Sequence, residues 1–136
     1  MENLRPSETN IFLVEDEVSV LKLATHILEM KGYRVFPFPH SDAALAKAKN
    51  LPEKINLLLT DVRMDPHMSG CKLAHQLRPL WPEMQVLYMS AYPSSEIVRK
   101  EIENGTALLL KKPFTPTGLL ESVKIALDTV HSRAVQ

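Results

Sequence analysis

The chain is poor in the features that mark several protein classes. Its 136 residues include one cysteine, Cys71, so no internal disulfide can form, and a reducing compartment is expected. No apolar run approaches the roughly 18 residues that suggest a membrane span. The opening stretch, residues 1–9, is polar and lacks the apolar segment of a secretory signal. A cytoplasmic chain away from membranes is the expectation. Net charge is also missing. Sixteen basic residues balance sixteen acidic ones, which argues against direct nucleic-acid or anionic-membrane binding through a global field. There is no internal repeat and no low-complexity tract. What remains is ordinary for a globular protein, 45% apolar and 24% charged, with length for one core but not two.

Short apolar runs alternate with amphipathic stretches, the pattern of βα units around a parallel sheet. Strands are predicted at about 10–14, 34–38, 57–60, 85–89 and 107–110. After the first strand, Val18, Leu21, Ala24, Ile27 and Leu28 recur at helical spacing, and Gly32 is a natural stop. Ser41 is expected to cap a second helix over 41–49. Further helices are predicted over 71–80 and 94–104. The last opens at Thr115-Pro116, where a first-turn proline costs little. Residues 9–131 form the expected domain, with a polar tail at 1–8 and a short tail at 132–136.

Four of the apolar runs end on reactive side chains. Ile11–Val14 leads into Glu15, Asp16 and Glu17; 57–60 leads into Asp61, 86–89 into Ser90, and 107–110 into Lys111 and Lys112. Ligands gather at the carboxyl ends of strands in open parallel sheets. Asp16 to Asp61 is 45 residues, Asp61 to Ser90 is 29, and Ser90 to Lys112 is 22. A βα unit takes about 20–30 residues, so these steps are two units, one and one. All four positions then fall at the same edge. Crowded carboxylates stay ionised only with a cation between them, and oxygen ligands suit Mg²⁺, which readily shares a phosphate oxygen. Asp61 could act as a nucleophile toward a phosphoryl group, with Ser90 and Lys112 contacting its oxygens.

These residues resemble a known family. The pieces Phe12-Leu13-Val14-Glu15-Asp16-Glu17, Leu58-Leu59-Thr60-Asp61-Val62, Met89-Ser90-Ala91 and Lys112-Pro113-Phe114 match the receiver domains of two-component response regulators, over roughly residues 9–131. One such piece is weak evidence, and four in order at this spacing are highly specific. The resemblance implies a doubly wound, flavodoxin-like α/β fold with five parallel strands in the order 2-1-3-4-5. It implies phosphoryl transfer to Asp61 from the phosphohistidine of a histidine kinase or histidine phosphotransfer protein. Glu15, Asp16, Asp61 and the Arg63 backbone carbonyl would hold Mg²⁺. Ser90 would be the switch hydroxyl, Lys112 the lysine contacting the acyl phosphate, and the bond before Pro113 cis. The output would be an altered surface for a downstream protein, on a monomer or a phosphorylation-linked dimer. The polar lead-in resembles that of receivers at the end of hybrid sensor kinases, and a stand-alone regulator is equally compatible.

The chain departs from the family pattern in places. The stretch from Asp61 to Gly70 is one residue longer than usual, and Asp65 within it reads as a solvated turn residue. Leu109 stands where many receivers carry an aromatic that follows the switch hydroxyl. His75-Gln76-Leu77-Arg78-Pro79 superficially resembles a kinase phosphorylation box but reads as a solvated helix face. The five histidines are scattered without metal-ligand spacing, and Cys71 reads as a small hydrophobe.

Two rival functions stand beside the switch. A phosphatase with an aspartyl-phosphate intermediate wants an acid/base where Arg63 stands, and the chain has no capping insertion. A silent module that kept only the fold would not need all five competent groups. Arg63 and Tyr92, two residues after Asp61 and Ser90, are large enough to exclude water from an acyl phosphate. Replacing both with small residues should accelerate loss of the phosphoryl group, followed by intact mass; an unchanged rate would refute the shielding role.

Overall fold

A computed structural model describes residues 4–91 and 95–135. Five strands, β1 (Asn10–Val14), β2 (Arg34–Phe38), β3 (Leu57–Asp61), β4 (Gln85–Ser90) and β5 (Leu108–Lys111), pair in parallel in the order β2-β1-β3-β4-β5. Between and after them run α1 (Val18–Met30), α2 (Ser41–Ala48), α3 (Gly70–Leu77), α4 (Glu96–Glu103) and α5 (Pro116–Val135). This is the α/β flavodoxin-like arrangement expected from the sequence. No helix among the described residues is long and apolar enough to cross a membrane.

The two faces of the sheet follow from the period of two along each strand. Ile11, Leu13, Leu57, Leu59, Leu87 and Met89 point one way and pack with Ala24, Leu28, Leu119, Val123 and Ala126 of α1 and α5. Phe12, Val14, Leu58, Val86 and Tyr88 point the other way, to α2, α3 and α4. Every residue of β1 and β3 is buried, which explains their near-continuous apolar runs. Phe12 anchors the second face. Its ring lies 4.8 Å from Phe38, 5.6 Å from Trp81 and 5.8 Å from Phe36, centroid to centroid, in tilted or edge-on contacts.

Helix ends fall near the expected signals, with instructive exceptions. Gly32 follows α1 at φ 103° and Gly105 follows α4 at φ 76°, conformations that only glycine adopts without strain. The Thr115 hydroxyl caps α5 through the Gly118 N–H at 2.9 Å. Ser41 is not the cap of α2. His40 holds that position, accepting from the Ala43 N–H, while the Ser41 hydroxyl donates to the Met68 carbonyl across to the next loop. The third helix starts one residue earlier than predicted, because Ser69 caps it through Lys72 N–H, and stops at Leu77, three residues short of the predicted end. The last helix continues to Val135, beyond the expected domain limit. The polar lead-in contains a single 3-10 turn at Pro6–Glu8, closed by a reciprocal Arg5–Glu8 arrangement.

Gly70 is required by packing, not by turn geometry. A Cβ there would lie 2.0 Å from the Asp61 carbonyl oxygen, because the start of α3 is pressed against the end of β3. The Gly70 N–H donates to Val62 at 2.8 Å and helps hold this approach. Gly70→Ala should cost roughly 2 kcal/mol or more by overpacking. Urea unfolding showing a loss below about 0.5 kcal/mol would mean that α3 slides away from the strand freely.

Candidate functional site

The parallel register brings the ends of β1, β3, β4 and β5 to one edge. Val14 lies beside Thr60, Asp61 beside Met89, and Ser90 beside Lys111. Glu15, one residue past β1, therefore falls level with Asp61, while Ser90 and Lys112 reach further along the same edge. The order β2-β1-β3 makes β1 and β3 the pair where the chain reverses direction across the sheet, the usual location of a crevice. Glu15 directly follows β1, and Asp61 closes β3.

Glu15, Asp16 and Asp61 offer carboxylate oxygens within 4.8 Å of one another. Glu15 is 1% exposed and Asp61 7%, while Asp16 is open to solvent. Lys112 reaches between the two buried acids, with Nζ 2.5 Å from Glu15 Oε1 and 2.8 Å from Asp61 Oδ1. The second oxygen of Glu15 accepts from the Glu17 N–H at 3.0 Å, which turns its carboxylate toward the sheet edge. The Lys112 backbone N–H donates to the Ser90 carbonyl at 2.9 Å and continues the β4–β5 ladder past its last residue. The Lys112–Pro113 bond is cis, as expected, and so is Asp65–Pro66 in the longer loop.

One ammonium cannot fully compensate two buried carboxylates. Burial first, and then the Glu15 carboxylate, push the Asp61 carboxyl up to about 8. Burial works against ionising Glu15 as well, but hydrogen bonds from Asp61, Lys112 and the Glu17 N–H hold it below the ordinary range. Burial and mutual repulsion thus work against ionising both acids together. Burial also opposes the Lys112 charge, and its two carboxylate partners outweigh that and raise its pKa. A cluster of oxygen donors short of positive charge is the chemistry a hard divalent cation satisfies, so these residues fit Mg²⁺.

The other singled-out residues are placed as follows. Arg63 is exposed and pairs with Asp65 at 3.3 Å, so Asp65 is a solvated turn residue. Cys71 is buried in α3, and burial pushes its thiol pKa up. Tyr92 lies outside the described residues. The sequence reading passed over Tyr88. It neighbours Leu109 in the β4–β5 register, and its hydroxyl donates to Glu101 of α4 at 3.0 Å. Glu101 in turn pairs with Arg78 at 2.6 Å, tying α4 to the end of α3. The aromatic absent from β5 thus has a counterpart one strand away. An aromatic two residues before Ser90 was the available signal.

A doubly wound sheet with an acid cluster at its reversal point, met there by a lysine from beyond β5, marks an α/β domain with a ligand site at its carboxyl edge. The chain belongs to the response regulator receiver domain family, whose profile matches residues 11–124. It is 28% identical over 126 residues to the response regulator protein TmoT of Ectopseudomonas mendocina, covering 93% of this chain and 56% of that protein. It is 32% identical to the transcriptional regulatory protein CreB of Escherichia coli K12, covering 88% of this chain and 51% of that one. The chain therefore spans about half the length of these relatives. A crystal structure of a CheY-like receiver domain protein from Methanospirillum hungatei JF-1 superposes with a TM-score of 0.79 at 31% identity, covering 92% of this chain and 98% of that one.

The carboxyl pair makes stability depend on pH. The folded pKa of Asp61 lies above its unfolded value near 4, so its contribution is complete below that value and is lost as pH rises through about 8. In metal-free buffer, the stability contributed by Asp61 should fall between about pH 4 and 8. Asp61→Asn should flatten the profile and be more stable at pH 8 by roughly 1–3 kcal/mol. Equal urea midpoints for the two proteins at pH 8 would contradict a strained carboxyl pair.

Proposed function

We propose that this receiver takes a phosphoryl group onto Asp61 from the phosphohistidine of a kinase or phosphotransfer protein. The observation that carries the reading is the convergence of Glu15, Asp16 and Asp61 within 4.8 Å, with Lys112 Nζ 2.8 Å from the Asp61 carboxylate. An Asp61 oxygen attacks phosphorus as the P–N bond to the donor imidazole breaks. The new O–P bond makes an acyl phosphate, and the imidazole keeps the electron pair and takes up a proton.

Glu15, Asp16, Asp61 and the Arg63 carbonyl would hold Mg²⁺, which when bound neutralises charge between the carboxylates and the phosphoryl oxygens. Lys112 already sits at Asp61 as a fixed point charge, and its ammonium can follow the phosphoryl oxygens as they arrive. Ser90, the last residue of β4, would supply a hydroxyl for a further oxygen. Burial of Asp61 keeps the reacting carboxylate largely away from bulk water. The phosphoryl group adds close to two negative charges at this edge, and the resulting shift in conformation alters the surface offered to a downstream protein.

Competent groups at all five positions favour this reading over a silent interaction module. The exposed Arg63, paired with Asp65, gives no acid/base for phosphatase turnover. Incubation with acetyl phosphate should add the mass of one phosphoryl group in Mg²⁺ and none without it. Asp61→Asn should take up none. Wild-type protein that neither gains mass nor binds beryllofluoride would overturn the proposal.

A further inference from the structure

Outside the acid pocket, the described residues contain a second group of potential metal ligands: His40, Asp42 and His67. It corrects the impression left by the sequence, where the histidines look scattered. His40 caps α2, Asp42 lies in the first turn of that helix, and His67 lies in the longer loop between β3 and α3. The imidazoles of His40 and His67 stack with centroids 4.0 Å apart and planes 9° from parallel. His67 Nδ1 is 2.8 Å from Asp42 Oδ2. One donor atom from each of the three residues lies within 4.8 Å of the others.

We propose that His40, Asp42 and His67 form a binding site for a transition-metal dication of the zinc class. Two imidazoles and a carboxylate are a donor set that zinc, nickel and copper accept, whereas Mg²⁺ prefers oxygen alone. The existing contact of His67 Nδ1 with Asp42 Oδ2 already sets two of the three donors side by side, and the ion would take the place of the proton between them. Tetrahedral donors around zinc stand about 3.3 Å apart, so the present spacing must close by on the order of 1 Å. Side-chain rotation at half-buried and exposed positions supplies that movement.

Two further observations set the site. The hydrogen bond from the Ser41 hydroxyl to the Met68 carbonyl ties the two loops together directly beside the cluster, so the ligands start out near one another. The Met64 carbonyl accepts from the His67 N–H at 2.7 Å and fixes the turn that presents its ring. Opposing this, His40 Nδ1 accepts from the Ala43 N–H at 3.3 Å, and ligation must loosen that long cap. With three protein ligands, the fourth position is left to water or an outside group. The assignment does not depend on whether Asp61 is phosphorylated.

Titration of the tag-free chain with Co²⁺, in excess Mg²⁺ to occupy the acid pocket, tests the site through visible d–d absorption. One equivalent should bind with the intense band of a low-coordinate, imidazole-ligated ion, and Zn²⁺ should displace it. His67→Ala and His40→Asn should each weaken binding at least about tenfold. Asparagine keeps the helix cap, so a loss in that variant reports ligation and not unfolding of α2. No band, or a band that survives both substitutions at unchanged affinity, would overturn the proposal.

Discussion

The contact between Lys112 and the two buried acids, Glu15 and Asp61, is the interaction on which the functional edge depends. Two carboxylates removed from water at the end of a sheet repel each other and lose hydration at the same time. One ammonium lessens both costs without cancelling them, and the raised pKa of Asp61 is the remainder. A site in this condition has a standing demand for positive charge. A hard cation between the carboxylates would meet that same deficit.

That interaction holds only because the sheet is rigid beneath it. Glu15 and Asp61 come from β1 and β3, which are buried on both faces, and Lys112 follows β5 at the far edge. The Lys112 N–H bond to Ser90 extends the ladder into the site and sets where the ammonium starts. Below the edge, Phe12 and its aromatic neighbours fill one face while Leu13, Leu59 and Met89 fill the other. Glu15, Asp61 and Lys112 are therefore placed by core packing. Away from the sheet lie the β3–α3 connection with its histidine and the α4 helix held through Tyr88, Glu101 and Arg78.

Most of the fold was legible from pattern. The strands lay close to where apolar runs and, for β2, alternation put them, and the buried β1, β3 and β4 were the plainest because a strand covered on both faces cannot hide polar residues. Helix boundaries were less secure where side-chain partners decided them. Ser41 has the chemistry of a cap, yet a carbonyl 27 residues away captured its hydroxyl and left the cap to His40. Gly70 looked like loop punctuation, and only its approach to the Asp61 carbonyl reveals its packing role. The acid cluster and its lysine were visible in advance, since each lies at or just past the carboxyl end of its strand and a parallel sheet gathers those ends at one edge.

Sequence alone determined the element order, the two-faced core and the gathering of Glu15, Asp16, Asp61, Ser90 and Lys112 at one edge. These follow from local periodicity and regular spacing, which a parallel sheet converts directly into position. Tertiary structure alone decided which acid carries the raised pKa, since that depends on burial and on the site of the Lys112 head group. It also decided that His40 and His67, far apart in the chain, stack beside Asp42. Loop-to-loop contacts of that kind leave no period in the sequence, because their geometry is set by how two connections cross and not by repeat along one element.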